Sequence, residues 1–392
     1  MRIRQLTASI VRLPLKRAFV HASAAREESE NVLVRCELEG GTAGWGEGVP
    51  RSYVTGETPE GCLAQLTATP LGDQMSADCQ SWPDVVRLCE SFAPAMDRDD
   101  PRGCYGNALR CAVELSILDA FGRLFGEPVS SVTRYYPPAA PILGSHDSVR
   151  YSAVIDASSA GLPRKSLVRR LYGFAHCKVK VGHPGDDDAE RLRIIRRWIG
   201  RAMDLRVDAN EAWPAAELFN KLEPLTASGI SCVEQPVPHA EVDCLSEARR
   251  QIKVPIMLDE SLTSMVDAEA AIAANTCDLF NIRLSKCGGF LASLRIAAVA
   301  RAAGLAYQLG CHPGETGVLS AAGRHWACSV DGVRYHEGSY DRHLFRRLVT
   351  NEDTTFGYGG RAPAIKQPGL GVTIDVEVLD EFVTEQRVFE VA

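Results

Sequence analysis

From about residue 149 the chain settles into a rhythm that few folds accommodate. Short apolar runs alternate with amphipathic stretches: Tyr151–Ile155, Cys177–Val181, Leu205–Val207, Ile230–Val233, Ile256–Leu258, Leu279–Ile282, Leu305–Leu309 and Val333–Tyr335. They recur at roughly 22–30 residues, about the length of one strand, one helix and their turns. The number and spacing of these runs suit an α/β fold of the TIM-like barrel type, with an open doubly wound sheet as the alternative.

The chain before this region reads differently. Residues 1–48 are β in character, with a strand at Val32–Leu38, a turn at Gly40-Gly41 and a return beginning at Ala43–Gly48. The opening stretch has neither a long apolar region nor a small-residue cleavage site, and reads as a strand rather than a leader. Residues 59–127 read as helices, the clearest being Asn107–Phe125 with Gly126 as its stop. Pro137–Pro141 reads as a linker. Pro368–Val376 reads as a hairpin, or a strand with a short helix, that returns to the N-terminal region.

Composition narrows the partners. The net charge of −7 argues against nucleic acid or an anionic membrane as the main partner. No apolar run is long enough to span a bilayer. The 13 cysteines are odd in number, scattered and without a C-x-x-C pair, which points to reduced thiols and a cytoplasmic setting. With 392 residues, 45% of them hydrophobic, the chain can bury a large core but exceeds one ordinary domain.

Three of the apolar runs end in an acid: Asp208, Glu234 and Asp259, spaced 26 and then 25 residues apart. Each interval is one β-α unit. In a barrel, three consecutive strands would aim these carboxylates at one point above the C-terminal rim, where barrel enzymes keep their chemistry. Converging like charges repel unless a cation lies among them. Oxygen ligands favour a hard ion, Mg²⁺ first and Mn²⁺ second. Acids after strands also serve as helix N-caps, so a barrel whose acids are only caps is the competing class.

Lysines flank the acids. Lys178 and Lys180 share one face of the run before Asp208, because strand side chains alternate. Lys286 lies just past the run after Asp259. In a closed barrel Lys180 and Lys286 would approach a substrate from opposite sides. A proton beside a carboxylate is too weakly acidic for an unaided amine. A metal holding that carboxylate stabilises the enediolate, and a nearby cation and desolvation bring a lysine down towards roughly 7–8. A K-x-K pair taken alone also suits a solvated strand face.

K-V-K at 178–180, R-V-D-A-N at 206–210, V-E-Q-P at 233–236, L-D-E-S at 258–261 and L-S-K-C-G-G at 284–289, in this order, resemble the enolase superfamily. More narrowly they resemble its muconate-lactonizing subgroup. The resemblance implies an α+β capping domain over residues 1–140, with substrate-specificity loops at about 17–26 and 50–58. It implies a modified (β/α)₇β barrel over 145–345, and a C-terminal segment, 346–392, returning to the capping domain. Asp208, Glu234 and Asp259 would then hold Mg²⁺, Lys180 and Lys286 would be the acid/base pair, and Lys178 an electrostatic helper. Asn210 would bond a ligand or substrate oxygen, and Glu260 would orient its neighbours.

The implied activity is abstraction of the α-proton of a small-molecule carboxylate, in a racemase or epimerase of an amino-acid derivative. A one-base lyase, either a cycloisomerase or an acid-sugar or hydroxy-acid dehydratase, is the alternative. A homo-oligomer is the expected assembly. The His–Asp dyad of mandelate racemases is replaced here by Lys286. The D-x-D of dipeptide epimerases is absent from Arg334–Ser339. Glu315-Thr316-Gly317 is similar to a stretch in N-succinylamino-acid racemases and o-succinylbenzoate synthases, although His312-Pro313 departs from the usual lead-in. Arg17, His21, Arg26, Arg51, Tyr53 and Glu57 of the two loops are candidates for a second polar group of the substrate, or are ordinary loop charges. His312, His336 and Glu337 are further candidates at the barrel mouth. Trp45 and Glu47 are expected to be structural.

Overall fold

The computed structural model describes residues 1–21, 24–156 and 160–391, without the side chains of 18–21 and 24–26. Strands Ala153–Ile155, His176–Lys180, Asp204–Asp208, Val233–Glu234, Ile256–Leu258, Leu279–Ile282, Ala306–Leu309 and Val333–His336 form one sheet in sequence order, every neighbouring pair parallel. A parallel bridge between Tyr151 and His336 joins its first and last strands. The result is a TIM-like barrel, not the open sheet. Each apolar run forms a strand, within a few residues at either end.

Four antiparallel strands form a second sheet, in the order Val383–Glu390, Ile3–His21, Ala24–Leu38, Ala43–Gly48. Helix Asn107–Phe125 lies directly against the last of these. A Cβ on Gly44, Gly46 or Gly48 would come within 2.1, 2.0 and 2.1 Å of the backbone at Ala120, Ala112 and Ala108. Alternating glycines put the bare face of the strand on the small-residue stripe of the helix, so the two backbones meet without side chains between them. Gly126 ends the helix in the left-handed conformation.

Two expectations are corrected. Pro137–Ile142 is not a free linker: it forms a 3₁₀ turn against helix Phe290–Ala302, with Ala139 and Ile142 buried. Proline sets the backbone of such a turn as readily as that of an extended link, and the apolar side chains here draw it onto the barrel. In the tail, 368–376 forms no hairpin or strand, only isolated bridges through Gly369 and Ile374, although it does pack on the N-terminal region, where the Leu370 amide donates to Asp119; the tail strand that joins the antiparallel sheet is Val383–Glu390. Among the described residues no helix is long and apolar enough to cross a membrane.

Candidate active site

The three acids stand where the strands stop. Asp208 and Glu234 are register partners on the third and fourth barrel strands, and Asp259 follows the fifth. All three are fully buried. Each is met by cations. Lys180 Nζ donates to Asp208 Oδ2 at 2.7 Å and to Asn210 Oδ1 at 2.5 Å. Lys178 Nζ lies 3.1 Å from Asp208, 3.3 Å from Glu234 and 2.8 Å from Glu337. Lys286 Nζ donates to Asp259 Oδ1 at 2.7 Å, to the Asp259 carbonyl at 2.7 Å and to the Asn281 carbonyl at 2.9 Å. Arg283 bonds the other oxygen of Asp259.

This network sets the protonation states. Burial opposes the charge on Lys178, but Glu234, Glu337 and Asp208 outweigh it and hold the ammonium above its ordinary range. Burial would also raise Asp208, yet Lys180 and Lys178 hold its carboxyl well below the usual carboxylate range. Burial raises Glu234, and the charge on Asp208 adds to it. For Lys286 burial dominates and pushes the amine down to about 7, with Cys287 opposing and Arg283 reinforcing the shift.

The donor set suits a hard divalent ion, being three buried carboxylates on consecutive strand ends. As the side chains stand, no three His, Cys, Asp or Glu groups among the described residues surround one point as metal ligands would. The lysines and Arg283 occupy the carboxylate oxygens, which supplies the counter-charge that buried acids require.

A cavity of about 220 Å³ opens at this rim. Lys178, Lys180, Asn210, Glu260, Tyr53, His312 and Glu315 all line it. Asn210 also donates to Glu260 Oε1 at 3.1 Å. Glu260 is raised to about 7 by burial and then by Asp208. Glu315 accepts from the His312 amide at 2.6 Å and is raised to about 8 by burial. Lys286 lies behind Asp259, its side chain fully buried, and is not part of the cavity wall.

Other candidates lie elsewhere. Arg17 lines a separate groove with Lys16, Glu27, Glu28, Glu30 and Arg346. The His21 and Arg26 side chains lie outside the described residues. Arg51 is a clasp: it donates to the carbonyls of Glu30, Pro50 and Pro313 and to Ser29 Oγ. His336 packs edge-on against Tyr151, 6.4 Å between ring centroids, and burial lowers it to about 4. Glu57 is buried and caps helix Asn107–Phe125 through the Ala108 amide. Glu47, 269 positions away in sequence, accepts from the amide and hydroxyl of Thr316, which fastens the Glu315 loop to the antiparallel sheet.

Three residues gain importance that sequence reasoning gave only in part or not at all. Glu337 accepts from both Lys178 and Arg206. Arg206 is fully buried inside the barrel, and Arg283 lines the cavity. Period-two alternation held the signal, since Arg206 is two residues before Asp208 and Arg283 two after Asn281.

Comparison with known proteins agrees with this architecture. Residues 164–378 match the family model described as enolase C-terminal domain-like. The chain is 31% identical to the L-Lys-D/L-Arg epimerase of Methylococcus capsulatus, covering 95% of this chain and 99% of that one. It is 25% identical to muconate cycloisomerase 1 of Rhodococcus opacus, covering 95% of each. The crystal structure of N-succinyl Arg/Lys racemase from Bacillus cereus superposes with a TM-score of 0.86 at 25% identity, over 99% of this chain and 100% of that one. With its family match extending over more than half its length, and a relative above 30% identity along nearly all of it, this chain belongs to the enolase superfamily.

Proposed function

We propose that the protein removes the proton beside the carboxylate of a small-molecule substrate and returns one from the other side, as a racemase or epimerase of an amino-acid derivative. The supporting observation is the disposition of two lysines about one row of carboxylates. Lys180 is held by Asp208 at one end and Lys286 by Asp259 at the other. A substrate at this rim meets Lys180 on the cavity wall, with Lys286 behind Asp259 at the other end of the row. Burial pushes Lys286 down to about 7, toward the range in which an amine can accept a proton. Lys178 stays charged and presents positive charge where the substrate carboxylate becomes more negative as its α-proton leaves.

Asp208, Glu234 and Asp259 would hold Mg²⁺, with Mn²⁺ as the second choice for the same oxygen donors. When bound, the ion supplies the positive charge that makes the α-proton acidic enough to transfer. We read the barrel as the modified (β/α)₇β form, because each of the first seven strands is followed by a longer helix and the last by the short helix Asp341–Leu344.

A second reading, a one-base lyase reaction, has one observation in its favour: the lysines are unequal. The Lys180 side chain is 23% exposed on the cavity wall, whereas that of Lys286 is fully buried and bonded to three oxygens. Incubating the Mg²⁺-loaded protein with a library of carboxylates in D₂O and reading deuterium uptake by mass spectrometry tests both readings. Uptake at an α-carbon is expected. Its absence across amino-acid derivatives, hydroxy acids and acid sugars would overturn α-proton abstraction.

A further inference from the structure

Arg283 is the cavity-facing cation whose donors are least used. It sits two residues beyond Asn281 at the inward register of the sixth barrel strand. Asn281 donates to Glu234 at 2.8 Å, so this strand reaches the same carboxylate row from behind. The Arg283 side chain is 9% exposed and lines the cavity. One Nη holds Asp259, while the buried Nε has no partner among the described residues. A guanidinium carries five N–H donors in a planar fork, and a buried donor left unmatched is costly.

The lysines of the site are engaged. Lys178 faces three carboxylates, Lys180 bonds Asp208 and Asn210, and Lys286 bonds three oxygens behind the wall. The surroundings of Arg283 also limit what it can meet. Tyr53, Val154, Pro313 and Leu344 contribute apolar wall to the same cavity. Beside such apolar wall, a cation's hydrogen bond to an oxygen is stronger than in water. Of the three carboxyls on the wall, Glu337 is already shared by Lys178 and Arg206, and Glu260 accepts from Asn210. Glu315 is raised by burial to about 8, with Arg283 among the charges that moderate the rise. Among the described residues, Arg283 hydrogen-bonds Asp259 and none of these three wall carboxyls.

We propose that Arg283 is a specificity-determining residue that takes a second oxygen of the substrate, a carbonyl or carboxylate some atoms away from the carboxylate at which the reaction occurs. This rests on the α-proton reading of the site and adds to it the substrate class, namely carboxylates bearing a further oxygen acceptor and no free cation at that position. The fork of the guanidinium matches a carbonyl or carboxylate oxygen and repels an ammonium.

Three five-carbon probes isolate the contact: pentanoate, 4-oxopentanoate and glutarate. They share a chain length and a carboxylate, and differ in having no second acceptor, a neutral one or a charged one. Calorimetric titration into Mg²⁺-saturated wild type is expected to show 4-oxopentanoate or glutarate binding at least tenfold more tightly than pentanoate, and which of the two is preferred separates carbonyl from carboxylate. In Arg283→Met the three affinities should fall within about threefold of one another. Arg283→Lys keeps the charge without the fork and should retain only part of the preference. It also serves as the test if the Met variant does not fold.

A preference unchanged in the variants overturns the role of Arg283. So does equal binding of all three probes by wild type, or a loss confined to Mg²⁺ affinity, which would make Arg283 a positioning residue for Asp259. If pentanoate binding by wild type does not depend on Mg²⁺, the α-proton reading of the site fails, and the inference fails with it. That outcome is distinguishable because it appears in the wild type ahead of any comparison with a variant.

Discussion

Lys178 and Arg206 are direct register partners on neighbouring parallel strands, and they share the two oxygens of Glu337. Arg206 Nη2 lies 2.5 Å from Glu337 Oε1, and Lys178 Nζ lies 2.8 Å from Oε2. The Arg206 guanidinium also stacks 4.4 Å over the ring of Tyr335. Burial alone would raise Glu337, but Lys178 and Arg206 bring it down to about 2. Two cations on adjacent strands are thus tolerable inside the barrel because the eighth strand delivers one carboxylate between them.

Glu337→Gln should therefore destabilise the fold. Removing one partner of a buried ion pair leaves uncompensated charge and costs about 3–5 kcal/mol. Urea denaturation followed by circular dichroism measures it. A loss below about 1 kcal/mol would mean the two cations find other compensation.

Asp208→Asn should weaken Mg²⁺ binding at least tenfold by calorimetry, since an amide oxygen carries no charge for a hard cation. The same replacement removes the counter-charge of Lys180, so melting should be recorded alongside. Metal affinity equal to wild type would remove Asp208 from the ligand set.

Lys180→Ala and Lys286→Ala discriminate the two reactions. For a racemase or epimerase, both variants should lose interconversion, and each should keep exchanging solvent deuterium into one stereoisomer only, a different one in each case. Losses of roughly 10²–10⁴ are the scale of general acid–base help. For a one-base reaction, one variant should lose all exchange while the other keeps it. Near-normal turnover in both would make the lysines structural.

Stability should carry a pH signature from Glu114. Its carboxylate accepts from the amides of Phe290 and Leu291, and burial raises it from 4.5 to about 7. Below the unfolded value both states are protonated and the contribution does not vary. Between 4.5 and about 7 the unfolded chain ionises first, so the native state loses stability as pH rises. Above about 7 the penalty is constant. The difference in unfolding free energy between wild type and Glu114→Gln should thus change by about 3 kcal/mol across this interval. A flat difference from pH 4.5 to 8 would show that Glu114 titrates as an ordinary carboxyl.

The barrel is legible in the sequence because its signals are local and periodic. Alternation along each strand, and about one β-α unit between strand ends, put Lys178 and Lys180 on one face and Asp208, Glu234 and Asp259 along one rim. The expected substrate contacts fared less evenly. Tyr53, Asn210, His312 and Glu315 line the cavity, whereas Arg17, Arg51 and His336 do not. Loop residues carry no period that tells which way a side chain turns, and Arg51 turned to backbone carbonyls that needed a donor.

The sequence by itself determined the order of strands, the residues that end them and the chemical type of the groups at the rim, because those follow from spacing and from the alternation of the backbone. Tertiary structure decided which charges are shared. Glu337 reaches Lys178 across 159 positions and Arg206 across 131, and Glu47 reaches Thr316 across 269. Those pairings come from closure of the barrel and from the seating of the antiparallel sheet on it. Burial then sets what each charge costs, and burial is a property of the folded whole, which is why the lowered Lys286 and the under-used donors of Arg283 appear only once the chain is closed around them.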